Sequence, residues 1–114
     1  MSRSTNQRIA DIIHCCEKIL RFTSGINREQ FAQQELVIDA VLRNIEIIGE
    51  ATKRLPEDVR NRMPNIEWKK IAGMRDWLAH VDFQVDEEIV WDAVETKIPN
   101  LPRTLQLLED ESQP

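Results

Sequence analysis

Three residues able to handle protons and phosphates fall within one short stretch, GMRDWLAHVDF at 73–83: Arg75, Asp76 and His80. A histidine exchanges protons near neutral pH, and an arginine is always charged and can grip two phosphate oxygens at once. The pair suits phosphodiester transfer, with His80 activating a ribose 2′-hydroxyl or protonating the leaving oxygen. Arg75 would neutralise the charge that gathers on the phosphorus oxygens. On an ideal helix Asp76 and His80, four apart, share a face, so Asp76 is placed to orient the imidazole. Arg75 and His80, five apart, diverge by roughly 140°. They converge only if the helix ends near His80 or if a second subunit brings its own copy. The same trio also suits a buried ion network that ties helices together without doing chemistry.

The elements that carry these residues are read from composition and periodicity. The chain has 114 residues, is 41% hydrophobic and contains only 3 Gly. No stretch alternates apolar and polar residues as a half-buried strand would. The expectation is an all-α, up-and-down bundle of four to five helices, in a single domain spanning 1–114. A first helix follows Ser4-Thr5-Asn6 and runs to about Phe22, burying Ile9, Ile12, Ile13, Cys16, Ile19 and Leu20. His14 falls on its solvated side, and Gly25 is available for a left-handed residue after its end.

A second helix is expected to run unbroken from about Asn27 to Leu55. Phe31, Ile38, Val41, Leu42, Ile45 and Ile48 line one face, and Leu36, Val37, Ala40 and Ile47 another. Apolar character around so much of the circumference belongs to a central helix or a subunit interface. Gly49 inside it points to close approach of another backbone. Pro56 opens a short turn, PEDVRNRM. The stretch IEWKKIAGMRDWLAH then forms the helix that holds the trio. Val85-Asp86 caps the next, EEIVWDAVETKI, with Ile89, Val90, Ala93, Val94 and Ile98 as its buried stripe. Pro99 and Pro102 interrupt it before RTLQLLED.

The formal charge of −5 argues against a broad basic face gripping duplex DNA. The charge is unevenly spread, however. From Lys53 to Arg75 seven basic residues face three acids, whereas six acids from Asp82 to Glu95 meet no base. The basic stretch can hold a few phosphates, and Lys69, Lys70 and Arg54 are its candidate substrate-binding residues. The carboxylates near Asp86 look like a solvated face, so no metal site and no cofactor are expected. Cys15 and Cys16 are adjacent, and a bridge between neighbours on a helix would be severely strained. Free thiols favour a reducing compartment. The polar start MSRSTNQRIADIIH does not resemble a signal peptide, and no apolar run reaches membrane-spanning length. The expected location is the cytoplasm.

The run RNIEIIGEATKRLPEDVRNRMPNIEWKKIAGMRDWLAHVDFQVDEEIVWDAV, Arg43 to Val94, resembles the HepT-like branch of the HEPN superfamily, small α-helical toxins of prokaryotic toxin–antitoxin pairs. The IGEA segment, the approach W…IAGMRD and the Arg-four-residues-His spacing of Arg75 and His80 match in order. The resemblance implies a homodimer whose motif helices face each other across a cleft and form a composite, metal-independent ribonuclease site. It also implies a partner, a minimal nucleotidyltransferase antitoxin. In some pairs that antitoxin silences the toxin by transferring AMP to a tyrosine two residues beyond the motif histidine. Here that position is Asp82, and the chain contains no tyrosine. Silencing by tyrosine modification is therefore impossible for this chain. A rival reading from another class is a non-catalytic module whose cleft binds nucleotide or the antitoxin.

Overall fold

Ser4 starts the first helix through a reciprocal pair of bonds. Its hydroxyl accepts from the Gln7 backbone N–H at 3.1 Å, and the Gln7 side chain accepts from the Ser4 N–H at 2.8 Å. The computed structural model describes residues 3–78 and 87–112, with side chains over 3–74 and 87–107. Within these limits α1 spans Thr5–Phe22 and buries Ile9, Ile12, Ile13, Cys16 and Ile19, as the periodicity predicts. Gly25, at φ +77°, makes the left-handed turn that leads out of it.

The expected second helix is two helices. Residues Arg28–Gln33 form α2 and Glu35–Lys53 form α3, broken at Gln34, whose φ of −106° and ψ of 81° leave the helical region. Neither Pro nor Gly marks the break. Its physical reason is tertiary: the bend turns Phe31, fully buried, onto Trp91 of a later helix, with ring centroids 5.0 Å apart. Burying two aromatic rings offsets the interrupted backbone ladder. The chain then proceeds along α3, where Ile38, Val41, Ile45 and Ile48 enter the core. The second apolar face is covered only in part among the described residues, where Val37 and Ile47 pack against the edge of the core. Leu36 is 86% exposed, and Val37, Ala40 and Ile47 are half-buried.

Four more helices follow: α4 at Glu57–Asn61, α5 at Trp68–Leu78, α6 at Glu87–Thr96 and α7 at Leu101–Ser112. Among the described residues these seven helices are the regular structure, and no strand occurs. Helix α1 packs on α3 and α7, α3 packs on α5, and α2 packs on α6. So α3 is central, and it supports α5 directly. The α6 stripe buries Val90, Ala93, Val94 and the following Ile98, while Ile89 is half-buried and Trp91 joins the core. The proposed cap at Val85-Asp86 lies outside the described residues. No described helix is long and apolar enough to cross a membrane.

Candidate functional site on helix α5

The site is built from the start of α5. The Trp68 indole Nε1 donates to the backbone carbonyls of Arg60 at 2.8 Å and Met63 at 3.0 Å, pinning the first turn against the end of α4. Ile71 and Met74 are buried in the core that α5 shares with α3. The helix is thus fixed in direction before it reaches the motif. Arg75 and Asp76 follow Met74 on its helical backbone. His80 and Asp82 lie outside the described residues, as do the side chains of Arg75 and Asp76. The convergence of Arg75, Asp76 and His80 therefore stays an inference from spacing.

The three candidate phosphate-binding residues do not form one patch. Lys69 and Lys70 are exposed on the first turn of α5, with Lys70 Nζ 2.6 Å from the Glu67 carboxylate. Arg54 instead pairs with Glu50 at 3.2 Å and lines a groove of about 420 Å³ between α1 and α3, beside Arg3, Arg8 and Arg43. Lys70 lines a different groove, about 500 Å³, between α5 and α6. Among the described residues its other walls are Gly73, Met74, Asp92, Ala93 and Lys97. Lys97 escaped the sequence reading because it lies beyond the motif, just after the last residue of α6. Only the packing of the helices brings it beside Lys70. Glu67 reports this cluster: the Lys70 hydrogen bond, then the Lys70 and Lys97 charges, hold its carboxyl below the usual range.

Gly73 is the unexplained wall of that groove. A Cβ built on it would meet no described atom within 4 Å. Glycine inside a helix costs about 1 kcal/mol against alanine. Packing within the described chain gives no reason for that cost. Other reactive side chains are easier to dismiss. Burial pushes the Cys16 thiol up to about 12 and raises that of Cys15 as well, so both stay protonated and unreactive at neutral pH. His14 is exposed on α1. Among the described residues no group of three or more His, Cys, Asp or Glu is placed to hold a metal ion.

Residues 12–108 match the family model Ribonuclease HepT-like. The chain belongs to the HepT-like ribonuclease family. "Probable ribonuclease HepT" of Thermococcus cleftensis is 41% identical over 101 residues, covering 89% of this chain and 92% of that protein. "Putative RNase MJ0127" of Methanocaldococcus jannaschii is 41% identical over 90 residues, covering 79% and 74% respectively. No solved structure matches. The HepT-like match takes in α5 entirely, together with Arg75, Asp76, His80 and Asp82. Membership makes the chain a ribonuclease and accords with its all-α architecture. The α5–α6 groove lies beside the helix that carries Arg75 and Asp76.

Proposed function

We propose that residues 1–114 form a single HepT-like domain acting as a metal-independent endoribonuclease toxin, active as a homodimer in whose cleft two copies of Arg75 and His80 meet. The observation that carries this reading is the family match across 12–108, which contains the Arg-four-residues-His run that begins at Arg75 on the helix that Trp68 anchors. His80 takes the proton from a ribose 2′-hydroxyl, whose oxygen attacks the adjacent phosphorus; the 5′-oxygen leaves and a 2′,3′-cyclic phosphate remains. Arg75 stabilises the charge on the phosphorus oxygens, and Asp76 orients the His80 ring. Lys69 and Lys70 hold neighbouring phosphates, while Arg54, in the other groove, meets only a more distant part of the strand.

Two features favour the dimer. Arg75 and His80 stand five positions apart, a poor spacing for one helix face. Among the described residues the α3 face bearing Leu36, Ala40 and Ile47 is also covered only in part, with Leu36 86% exposed. A minimal nucleotidyltransferase antitoxin is the proposed partner. With Asp82 in place of the family tyrosine, it would silence the toxin by binding rather than by modifying that position. The proposed site of action is the cytoplasm.

The test is cleavage of RNA by the purified chain in EDTA. Wild type should leave 2′,3′-cyclic phosphate ends, a 2′-deoxy substitution at the cut should block it, and His80→Ala should be inactive. Arg75→Ala should cost about 2–4 kcal/mol of transition-state stabilisation. Activity that appears only on adding a divalent metal would overturn the mechanism. RNA bound tightly but left intact would favour a binding module, the reading to which Asp82 and the acids of α6 lend support.

A further inference from the structure

We propose that the groove between α5 and α6 holds the nucleotide next to the scissile phosphate, with Gly73 leaving room for its base and Lys70 and Lys97 pairing with its phosphates. This rests on the ribonuclease reading of the same helix and adds the path of the strand. Three observations carry it. First, Gly73 stands in a helix interior on the groove wall, and no described atom lies within 4 Å of where a Cβ would be, so the wall is open at this point among the described residues. Second, the groove has about 500 Å³, enough volume for a base between Gly73 and the α6 wall. Third, two ammonium groups stand at this groove, and a nucleic-acid backbone complements them.

Position along α5 agrees. Lys70 precedes Arg75 by five residues, about 7.5 Å along the helix axis, comparable with the spacing of adjacent phosphates in an extended strand. Past Lys97 the surface continues into a smaller recess of about 150 Å³. Asn65, Thr96, Asn100 and Thr104 line it, offering donors and acceptors of the kind that read unstacked bases. Two carboxylates oppose the proposal, and each has a place in it. Asp92 lies on the groove wall and sets the strand toward the lysine side. Glu67 pairs with Lys70 in the free protein but its side chain is 54% exposed, so a phosphate displaces it at little cost. Lys97 makes no ion pair with any described residue and is open to the first phosphate contact.

The experiment uses the full chain carrying His80→Ala, so that RNA stays whole, and a fluorescein-labelled single-stranded RNA read by anisotropy over a salt series. Lys97→Glu should weaken binding about tenfold or more at low salt. Lys97→Ala should flatten the log–log salt slope by about 0.7, the loss of one phosphate contact on a single strand. Gly73→Leu should weaken binding without lowering the melting temperature, and Lys18→Glu on α1 should change nothing. In the His80-intact chain, Lys97→Glu and Gly73→Leu should slow cleavage in parallel. Unchanged affinity and cleavage in both variants, while the parent chains bind and cut, would overturn the groove assignment and leave the ribonuclease reading standing. If Gly73→Leu acts by splitting a dimer in light scattering while Lys97→Glu binds normally, the groove is a subunit contact and the assignment is wrong. A wild-type chain that neither binds nor cuts RNA would sink both.

Discussion

The Trp68 indole reaches eight residues back to the Arg60 carbonyl, at 2.8 Å, and so ties the short α4 to the start of the motif helix. The same N–H is shared with the Met63 carbonyl at 3.0 Å. Trp68→Phe keeps most of the ring and deletes the donor, leaving two partly buried carbonyls to find water. The expected cost is about 1 kcal/mol in urea unfolding, with secondary structure unchanged. An unaltered midpoint would show that solvent replaces the indole without penalty.

Phe31 and Trp91 join the two helices that the sequence keeps sixty residues apart. Phe31 is fully buried and Trp91 is 9% exposed, with ring planes tilted by 41°. Phe31→Ala should cost about 3–5 kcal/mol, the transfer free energy of a fully buried ring plus the cavity it leaves against Trp91. Denaturant titration followed by Trp fluorescence checks it. A loss below about 1 kcal/mol would mean that the bend at Gln34 does not depend on this pair.

These two contacts show what the sequence discloses and what it hides. Helix α1 is legible because its cap, its stripe of isoleucines and Gly25 are all local. The break at Gln34 is not, since REQFAQQELVID contains no breaking residue and the cause is Trp91, far along the chain. Leu36 is legible only as part of an apolar face: its spacing leaves open a core or an interface position, and among the described residues it is 86% exposed. The motif is legible in Arg75, Asp76 and His80 as a run of residue types. The groove beside it is not, because Lys97 and Ala93 join Lys70 and Gly73 only through helix packing.

The buried thiols give a pH dependence with a definite sign. Burial raises Cys16 from an ordinary 9.0 to about 12, so the folded state prefers the neutral thiol. That preference contributes stability fully below pH 9, and the contribution is lost as pH rises toward 12 and the unfolded chain ionises first. Unfolding free energy should therefore fall between pH 9 and pH 12, less steeply in Cys16→Ala. At pH 8, alkylation by iodoacetamide should be slow in the folded chain and fast in urea. Equal rates in both conditions would contradict the burial of Cys15 and Cys16.

Asp82 is where this chain parts from the family pattern, and charge decides what it does there. A carboxylate two residues after His80 can stabilise the imidazolium and raise its pKa, or it can repel the incoming phosphate. Asp82→Asn removes the charge at nearly constant shape and separates the two effects. If repulsion dominates, RNA binding should strengthen, most at low salt where screening is weak. If pairing dominates, the acidic limb of the pH–rate profile should move to lower pH with little change in affinity. Repulsion is the expected outcome, because Asp76 already stands four residues from His80 at the helical spacing that serves the imidazole, and the second carboxylate is redundant in that role. Affinity that stays flat across the salt series, together with a shifted profile, would assign Asp82 to His80 instead.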